Sequence, residues 1–283
     1  MRAPGLMLSV IAALAVACAP ADETTQPSNQ VDGVDCTKEN LATLTAGKIT
    51  FGTDQPVYEP WFVDDDPTNG KGFESATAYA LAEELGYARE DVVWTRVPFN
   101  AAIQPGRKTY DANLTEFSIT EERKQAVDFS APYYDVDQAV ITLESSKAAS
   151  VKTLAELKSV KIGAQVGTTS LDAAQRLQPE QDVAVYNTND DAKAALRAGQ
   201  VDALVVDLPT AFFITSAELE DGVIVGQVPP GDGKPEQFGI VLDKGSPLTA
   251  CVSTAVENLR ADGTLAEIER EWLASAGTAP ELR

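Results

Sequence analysis

Short apolar segments alternate with helical segments along most of this 283-residue chain, and this alternation restricts the fold more than any other feature. Residues 48–52, 92–97, 160–166 and 201–206 have the length and apolar character of strands. Residues 72–86 show helical spacing that ends at a glycine. Strands that alternate with helical crossovers predict an α/β protein with largely parallel sheets. Because the chain contains two such blocks, we expect two lobes.

Charge and composition exclude several classes of function. Lys and Arg number 22 and Asp and Glu number 43, which gives a net charge of −21. Such a chain is repelled by nucleic-acid phosphates, so we expect no nucleic-acid partner. The chain has no histidine, which excludes histidine-based nucleophile triads and histidine-ligated zinc. Three cysteines that lie far apart cannot form a metal site on their own, so we expect neither a metal nor a cofactor.

The N-terminal segment has the pattern of an export signal. The apolar run at 6–16 is shorter than the roughly 20 residues that a membrane-spanning helix needs, so we predict a signal peptide at 1–17. Small residues directly before Cys18 resemble a bacterial lipoprotein signal, which implies cleavage before Cys18 and lipid attachment to its sulfur. A flexible tether is then expected at 18–35, because this segment has few large apolar residues.

Two alternatives accompany the export signal. A secretory signal without lipid would be cleaved near Ala17 or Ala21. In an exported protein, Cys36 and Cys251 are expected to form a disulfide, and the alternative is two buried free thiols.

Three features carry the chemistry of a binding site. Residues 167–170 join a strand to a helix and offer main-chain N–H groups and hydroxyls to an anion, although they also suit a simple helix cap. Arg123 lies near Ser118 and could grip a carboxylate, although an arginine in a charged run is often a surface residue. Asp207 follows an apolar strand, where it could bind an ammonium group or cap the next helix.

Six segments resemble, in order and spacing, bacterial solute-binding proteins of the polar amino-acid family, which serve ATP-driven importers. They are residues 52–62, 72–74, 118–123, 129–134, 167–169 and 201–207. The resemblance runs from about residue 41 to residue 273. It implies an α/β, two-lobed, periplasmic-binding-protein-like fold with two hinge crossings, and a receptor that closes on its ligand.

The resemblance also assigns roles to the charged and hydroxyl residues. Arg123 would hold the α-carboxylate of an amino acid, together with Thr168, Thr169 and nearby main-chain amides of the other lobe. Asp207 would take the α-ammonium group, and Ser118 would line the site.

Further matching positions would surround the rest of the ligand. Tyr58 and Phe99 would sandwich it, with Trp61 nearby, and Asp54 would meet its side chain. Glu116 departs from the family pattern, because many members have serine or glycine at this position. If Glu116 faces the cleft, the pocket favours a cationic side chain such as arginine or lysine. The alternative is that Glu116 points away or pairs with a lysine.

The family fold implies where the lobes begin and end. We expect residues 36–137 and 240–283 in lobe 1 and residues 138–239 in lobe 2. The hinge crossings are expected at 138–140 and 237–239.

We therefore predict a receptor rather than an enzyme, anchored outside the cytoplasm by lipid on Cys18. It would bind a polar amino acid and deliver it to the membrane permease of an ABC importer. One alternative is a cyclohexadienyl-dehydratase-like lyase on the same scaffold, with Glu116 as its acid. Another is the sensor part of a signalling protein.

Overall fold

The computed structural model describes Met1 and residues 30–31, 34–231, 233–274 and 277–283. The predicted lipidation site Cys18 and residues 2–17 of the predicted signal peptide lie outside the described residues. In the part of the chain that is described, no helix is both long and apolar enough to cross a membrane.

Strands and helices alternate through the described chain. The strands are β1 (Gln30–Val31), β2 (Val34–Asp35), β3 (Ile49–Thr53), β4 (Val92–Arg96), β5 (Ala112–Asn113), β6 (Val127–Val136), β7 (Gln138–Leu143), β8 (Ile162–Gln165), β9 (Ala184–Tyr186), β10 (Ala203–Asp207), β11 (Gly222–Val228) and β12 (Glu236–Asp243). The α-helices are α1 (Phe73–Glu84), α2 (Phe99–Ala102), α3 (Leu154–Leu157), α4 (Thr169–Arg176), α5 (Asn189–Arg197), α6 (Leu208–Phe213), α7 (Thr249–Ala261) and α8 (Thr264–Trp272).

The first lobe is built on a five-stranded sheet with the order β4-β3-β5-β12-β6. β3 runs parallel to β4 and β5, whereas β12 runs antiparallel to β5 and β6. Helices α1, α7 and α8 pack against one another beside this sheet. Phe51, Trp61 and Phe238 lie fully buried in its core. Burial of such large side chains contributes strongly to the hydrophobic stabilisation of the lobe.

The second lobe is built on a five-stranded sheet with the order β11-β7-β10-β8-β9. β8 runs parallel to β9 and β10, whereas β7 runs antiparallel to β10 and β11. Neighbouring residues of β7 pack on opposite faces, with Val140 in one hydrophobic cluster and Ile141 in the other. Helices therefore cover both faces of this sheet.

The prediction of largely parallel sheets is wrong, because each sheet combines parallel and antiparallel pairs. Two antiparallel strands of the five-stranded sheets, Val127–Val136 and Gly222–Val228, are not predicted by the sequence pattern. The first contains Pro132, which has no N–H group to donate and usually argues against a strand. Here Pro132 lies opposite Gly239, where the register with β12 shifts, so the missing donor is tolerated.

The chain passes from one sheet to the other at Asp137, between β6 and β7, and passes back between Val228 and Glu236. The first passage adjoins the crossing expected at 138–140. The second passage lies before the crossing expected at 237–239, because β12 already pairs with β6 from Glu236 onward.

The C-terminal residues 277–283 lie against the second lobe, which differs from their expected place in the first lobe. The main-chain N–H of Gln227 donates to Pro280 O at 2.8 Å, and Leu282 N donates to Gln227 O at 3.0 Å. Leu282 is 2% exposed and belongs to a hydrophobic cluster of the second lobe. A Cβ atom on Gly226 would lie 2.7 Å from Pro280 O, so this close approach requires glycine. After α8 the chain therefore makes a third connection between the lobes.

A disulfide joins Cys36 to Cys251 on α7, as predicted, with 5.4 Å between the two Cα atoms. It excludes the alternative of two free thiols. Just before Cys36, β1 and β2 pair in antiparallel register, so the predicted tether contains ordered backbone at its end.

Candidate functional site

A cleft lies between the two lobes at the carboxyl ends of β3, β5, β8 and β10. This edge is where α/β sheets bind ligands, because the loops that follow the strands converge there. Eight of the ten residues predicted to contact a ligand line this cleft: Asp54, Tyr58, Phe99, Glu116, Arg123, Thr168, Thr169 and Asp207. Trp61 and Ser118 do not line it.

Arg123 is buried at one end of the cleft, with only 9% of its surface exposed, so it is not a surface residue. Its Nη1 donates to Ser118 O at 2.7 Å in the first lobe, and its Nη2 donates to Gly167 O at 2.9 Å in the second. Its guanidinium lies over the rings of Phe99 and Phe117. Burial lowers the pKa of Arg123. Among the described residues it forms no ion pair with a carboxylate, so this buried charge lacks an anionic partner.

Asp207 lies on the opposite lobe, at the end of β10. It precedes α6, but its side chain makes no capping hydrogen bond, which argues against a role as a helix cap. Its Oδ1 accepts from Gln138 Nε2 at 2.7 Å. Burial, followed by the charge of Glu236, raises the pKa of Asp207 to about 7. Asp207 forms no ion pair within the described ranges, so its environment favours a cation that the protein itself does not supply.

The raised pKa of Asp207 predicts that the ligand-free protein loses stability as pH rises. The ordinary pKa of this carboxyl is 3.8 and its folded-state pKa is about 7, so the folded state binds the proton more tightly. The stabilisation is therefore full below pH 3.8 and is lost as pH rises through about 7. We expect the urea concentration at the unfolding midpoint to decrease as pH rises from about 5 to about 8. The decrease should be smaller in Asp207→Asn. If the midpoint depends on pH equally in wild type and in Asp207→Asn, the pKa of Asp207 is not the cause of the loss of stability.

Glu116 lines the cleft, together with Asp54. It does not point away from the cleft. Its backbone has a positive φ of 53°, and its main-chain N–H donates to Glu74 Oε1 at 2.7 Å. Tyr133 also donates to this buried Glu74 carboxylate. Glu116 forms no salt bridge to a lysine in the described part of the chain. Burial, followed by the charge of Glu74, raises the pKa of Glu116, and a cation bound beside it would favour its ionised form.

Thr168 both caps α4 and lines the cleft. Its Oγ1 accepts from Leu171 N at 3.1 Å and donates to Gln165 O at 2.7 Å. The side chain of Thr168 therefore acts as the N-terminal cap of α4. The first turn of α4 still lies beside the cleft, where its main-chain N–H groups favour an anion.

Two of the three predicted aromatic residues lie on the cleft wall. Phe99 stacks on Phe117 with 4.5 Å between ring centroids. Tyr58 lies beneath the ammonium group of Lys193, which comes from α5 of the other lobe and lies 5.3 Å from the ring centroid. These rings give the cleft two aromatic lining residues beside its charged groups.

Trp61 is a core residue and not a cleft residue. It has 0% exposure and packs edge-on against Phe73, Tyr134 and Phe238. Its Nε1 donates to Thr210 Oγ1 of the second lobe at 2.8 Å. The polar end of a buried tryptophan needs a partner, and here that partner lies across the lobe boundary.

Ser118 is also turned away from the cleft, at 1% exposure. Its hydroxyl donates to Glu236 Oε2 at 2.9 Å and lies 3.2 Å from Thr169 Oγ1. Because Thr169 belongs to the second lobe, this contact joins the lobes beside the cleft, as do the bonds from Arg123 to Gly167 and from Trp61 to Thr210.

Four polar residues of the cleft lining are not predicted from the sequence: Thr115, Gln165, Asn189 and Thr210. Gln165 is the last residue of β8 and is 7% exposed, yet its Oε1 has no hydrogen-bond partner in the described part of the chain. A buried acceptor without a partner costs free energy unless a ligand donates to it. Its position at the end of a parallel strand was the available signal.

Known proteins with similar sequences are named as amino-acid-binding proteins. The ABC transporter glutamine-binding protein GlnH of Bacillus subtilis (strain 168) is 30% identical over 248 residues, which cover 83% of this chain and 85% of the relative. The L-arginine-binding protein of Pseudomonas aeruginosa PAO1 is 30% identical over 247 residues, which cover 82% of this chain and 93% of the relative.

A solved structure has the same fold. The ancestral amino acid-binding protein AncCDT-1, a precursor of cyclohexadienyl dehydratase, superimposes with a TM-score of 0.67 at 29% identity, over 80% of this chain and 95% of that structure. Residues 49–275 match the family of bacterial extracellular solute-binding proteins, family 3. This match spans most of the chain, including both lobes and the whole cleft. The chain is therefore a member of the bacterial extracellular solute-binding proteins, family 3.

Proposed function

We propose that this protein is an extracytoplasmic receptor that captures a polar amino acid by hinge closure and delivers it to the permease of an ABC importer. The observation that carries the proposal is the pair of opposite charges in the cleft. Arg123 has no anionic partner and Asp207 has no cationic partner among the described residues, and they lie on different lobes. A zwitterion supplies both missing partners at once.

Closure follows from this division of the site. A ligand that contacts both lobes binds the closed form more tightly than the open form, so it shifts the equilibrium toward closure. We propose that residues 36–136 and 236–274 move as one lobe and residues 138–228 as the other. The hinge then includes Asp137 and the connection before β12.

We propose further that the ligand side chain is cationic, as in arginine or lysine. Glu116 and Asp54 line the same cleft and have no lysine partner in the described chain. Two carboxylates that are partly removed from water favour a cation and disfavour a neutral or acidic side chain. The relatives named above bind glutamine or arginine at equal identity, so the preference rests on these two carboxylates.

Thermal unfolding of protein that has been stripped of ligand, in the presence of each amino acid, tests the function and the preference together. Arginine or lysine at about 100 times its Kd should add about 2.7 kcal/mol of stability. In Glu116→Gln we expect the affinity for arginine to fall about 10- to 100-fold, because a charged partner is lost, while the affinity for glutamine stays the same.

Glu144→Gln is the matched control, because Glu144 is an exposed carboxylate after β7. If only glutamine raises the unfolding temperature, the cationic preference is wrong and the proposed receptor function stands. If no amino acid raises it, the proposed receptor function is wrong.

The alternative is an enzyme of the dehydratase type. It is favoured by one observation, the raised pKa of Glu116, which suits a proton donor. Binding explains more of the cleft, because a substrate without an amino group would leave Asp207 without a cationic partner. We therefore propose binding rather than catalysis.

We also propose that the receptor is anchored to the cell membrane by lipid on Cys18. This proposal rests on the sequence before Cys18, which lies outside the described residues. A tethered receptor stays close to its permease, which raises its effective concentration there.

A further inference from the structure

Gln138 occupies a special place in the fold. It is the first residue of β7, directly after the passage between lobes at Asp137, and it is 3% exposed. Its side chain lies behind the cleft and does not line it. A buried amide at a chain crossing must satisfy its donors and its acceptor with protein groups.

All three polar functions of the Gln138 amide are occupied. Nε2 donates to Asp207 Oδ1 at 2.7 Å and to Glu236 Oε2 at 3.3 Å, and Oε1 accepts from Ser170 Oγ at 2.7 Å. The two carboxylates fix the orientation of the amide, because the reversed orientation would place its carbonyl oxygen against them.

The contacts of Gln138 also join the two lobes. Glu236 belongs to the first lobe and accepts a hydrogen bond from Ser118, which touches Thr169 of the second lobe. Asp207 and Ser170 belong to the second lobe. The amide therefore links the carboxylate of the cleft to a carboxylate at the hinge.

Several ionisable groups face Asp207 from the elements around it. They are Glu236 on β12, Arg123 after β5, Glu74 on α1, Glu116 in the cleft wall, and Tyr133 and Tyr134 on β6. The three carboxylates disfavour a further negative charge on Asp207, whereas Arg123 and the hydrogen bond from Gln138 favour its ionised form.

We propose that Gln138 is a positioning residue: its amide holds the Asp207 carboxylate in place to receive the ligand ammonium group and links it to Glu236 at the hinge. The inference rests on the proposed function, since it assumes an amino-acid ligand. Gln138 acts through Asp207 and makes no ligand contact of its own.

Gln138→Met tests the proposal, because methionine has a similar length and no hydrogen-bonding amide. We expect its affinity for L-arginine to fall about 10-fold or more, as for a lost hydrogen bond to a charged group. Its affinity for 5-guanidinopentanoate, which lacks the α-amino group, should stay the same. Gln237→Met is the matched control, because Gln237 on β12 also donates its amide to an aspartate, Asp135 on β6, in an exposed position.

A second measurement is independent of any ligand. The titration of the Asp207 carboxyl carbon, followed by NMR and assigned with Asp207→Asn, should move up by about one pH unit in Gln138→Met. It should stay in place in Gln237→Met. If Gln138→Met does not fold, Gln138→Glu replaces it, because glutamate has nearly the same shape as glutamine. This variant should raise the pKa of Asp207 further, since it adds a carboxylate to Asp207 and Glu236.

The outcomes separate the two proposals. An equal loss of affinity for both probes, or an unmoved titration of Asp207, would overturn the role of Gln138. If the wild-type protein binds no amino acid while the titration moves as expected, the proposed function has failed and the positioning of Asp207 by Gln138 stands.

Discussion

Replacing Arg123 with alanine is expected to weaken binding of the amino acid by about 3–5 kcal/mol, as when one partner of a buried ion pair is removed. Arg123 is 9% exposed and makes hydrogen bonds to one main-chain carbonyl of each lobe. The bound carboxylate would remain desolvated without its cation, and one bond that joins the closed lobes would also be lost. Calorimetric titration of stripped protein measures the change.

Two further variants sharpen this experiment. Arg123→Lys retains the charge but lacks the planar guanidinium that binds a carboxylate through two parallel hydrogen bonds. Its ligand affinity should therefore lie between those of wild type and Arg123→Ala. Arg197→Ala is the control, because the Arg197 Nη2 makes an exposed hydrogen bond to Glu218 O and Arg197 does not line the cleft. Unchanged affinity in Arg123→Ala would refute the assignment of the carboxylate to this residue.

Removing the disulfide with Cys36→Ala and Cys251→Ala together is expected to lower the free energy of unfolding by about 2–5 kcal/mol. The bridge spans 215 residues of sequence, so it removes many conformations from the unfolded chain. It also ties the start of the first lobe to α7, where Cys251 is 1% exposed. Ligand affinity should stay the same, because the bridge lies in the core cluster of one lobe and not in the cleft.

Urea unfolding with and without reductant measures this effect. Reduced wild-type protein should unfold at the midpoint of the double variant. If the oxidised and reduced proteins share one midpoint, the bridge does not stabilise the fold.

Local sequence predicted those strands whose own residues carry the signal. Residues 138–143 are a run of mostly apolar residues, which is typical of a strand, and they form β7. β6 has Pro132 and several polar residues, and it is stabilised by pairing with β12, which lies about a hundred residues away in sequence. β11 contains two glycines and pairs with β7 across a register shift. Pairing over such distances cannot be read from a short window of sequence.

The site shows the same division. The positions of Arg123 and Asp207 at the cleft follow from motif order and from the rule that ligands bind at strand ends. The orientation of Glu116 depends on a main-chain bond to Glu74, which lies 42 residues earlier in sequence. The hydroxyl of Ser118 is taken by Glu236, a partner 118 residues later. Such non-local contacts decide which polar side chains remain for a ligand.

The two ends of the folded chain are held on different lobes. Cys36 is bonded to α7 in the first lobe, and Leu282 is buried in the second. Movement of one lobe against the other therefore changes the distance between the ends. A donor and an acceptor fluorophore fused to these ends would convert cleft closure into a change in energy transfer, so the connectivity suits an optical sensor that needs no insertion into either lobe.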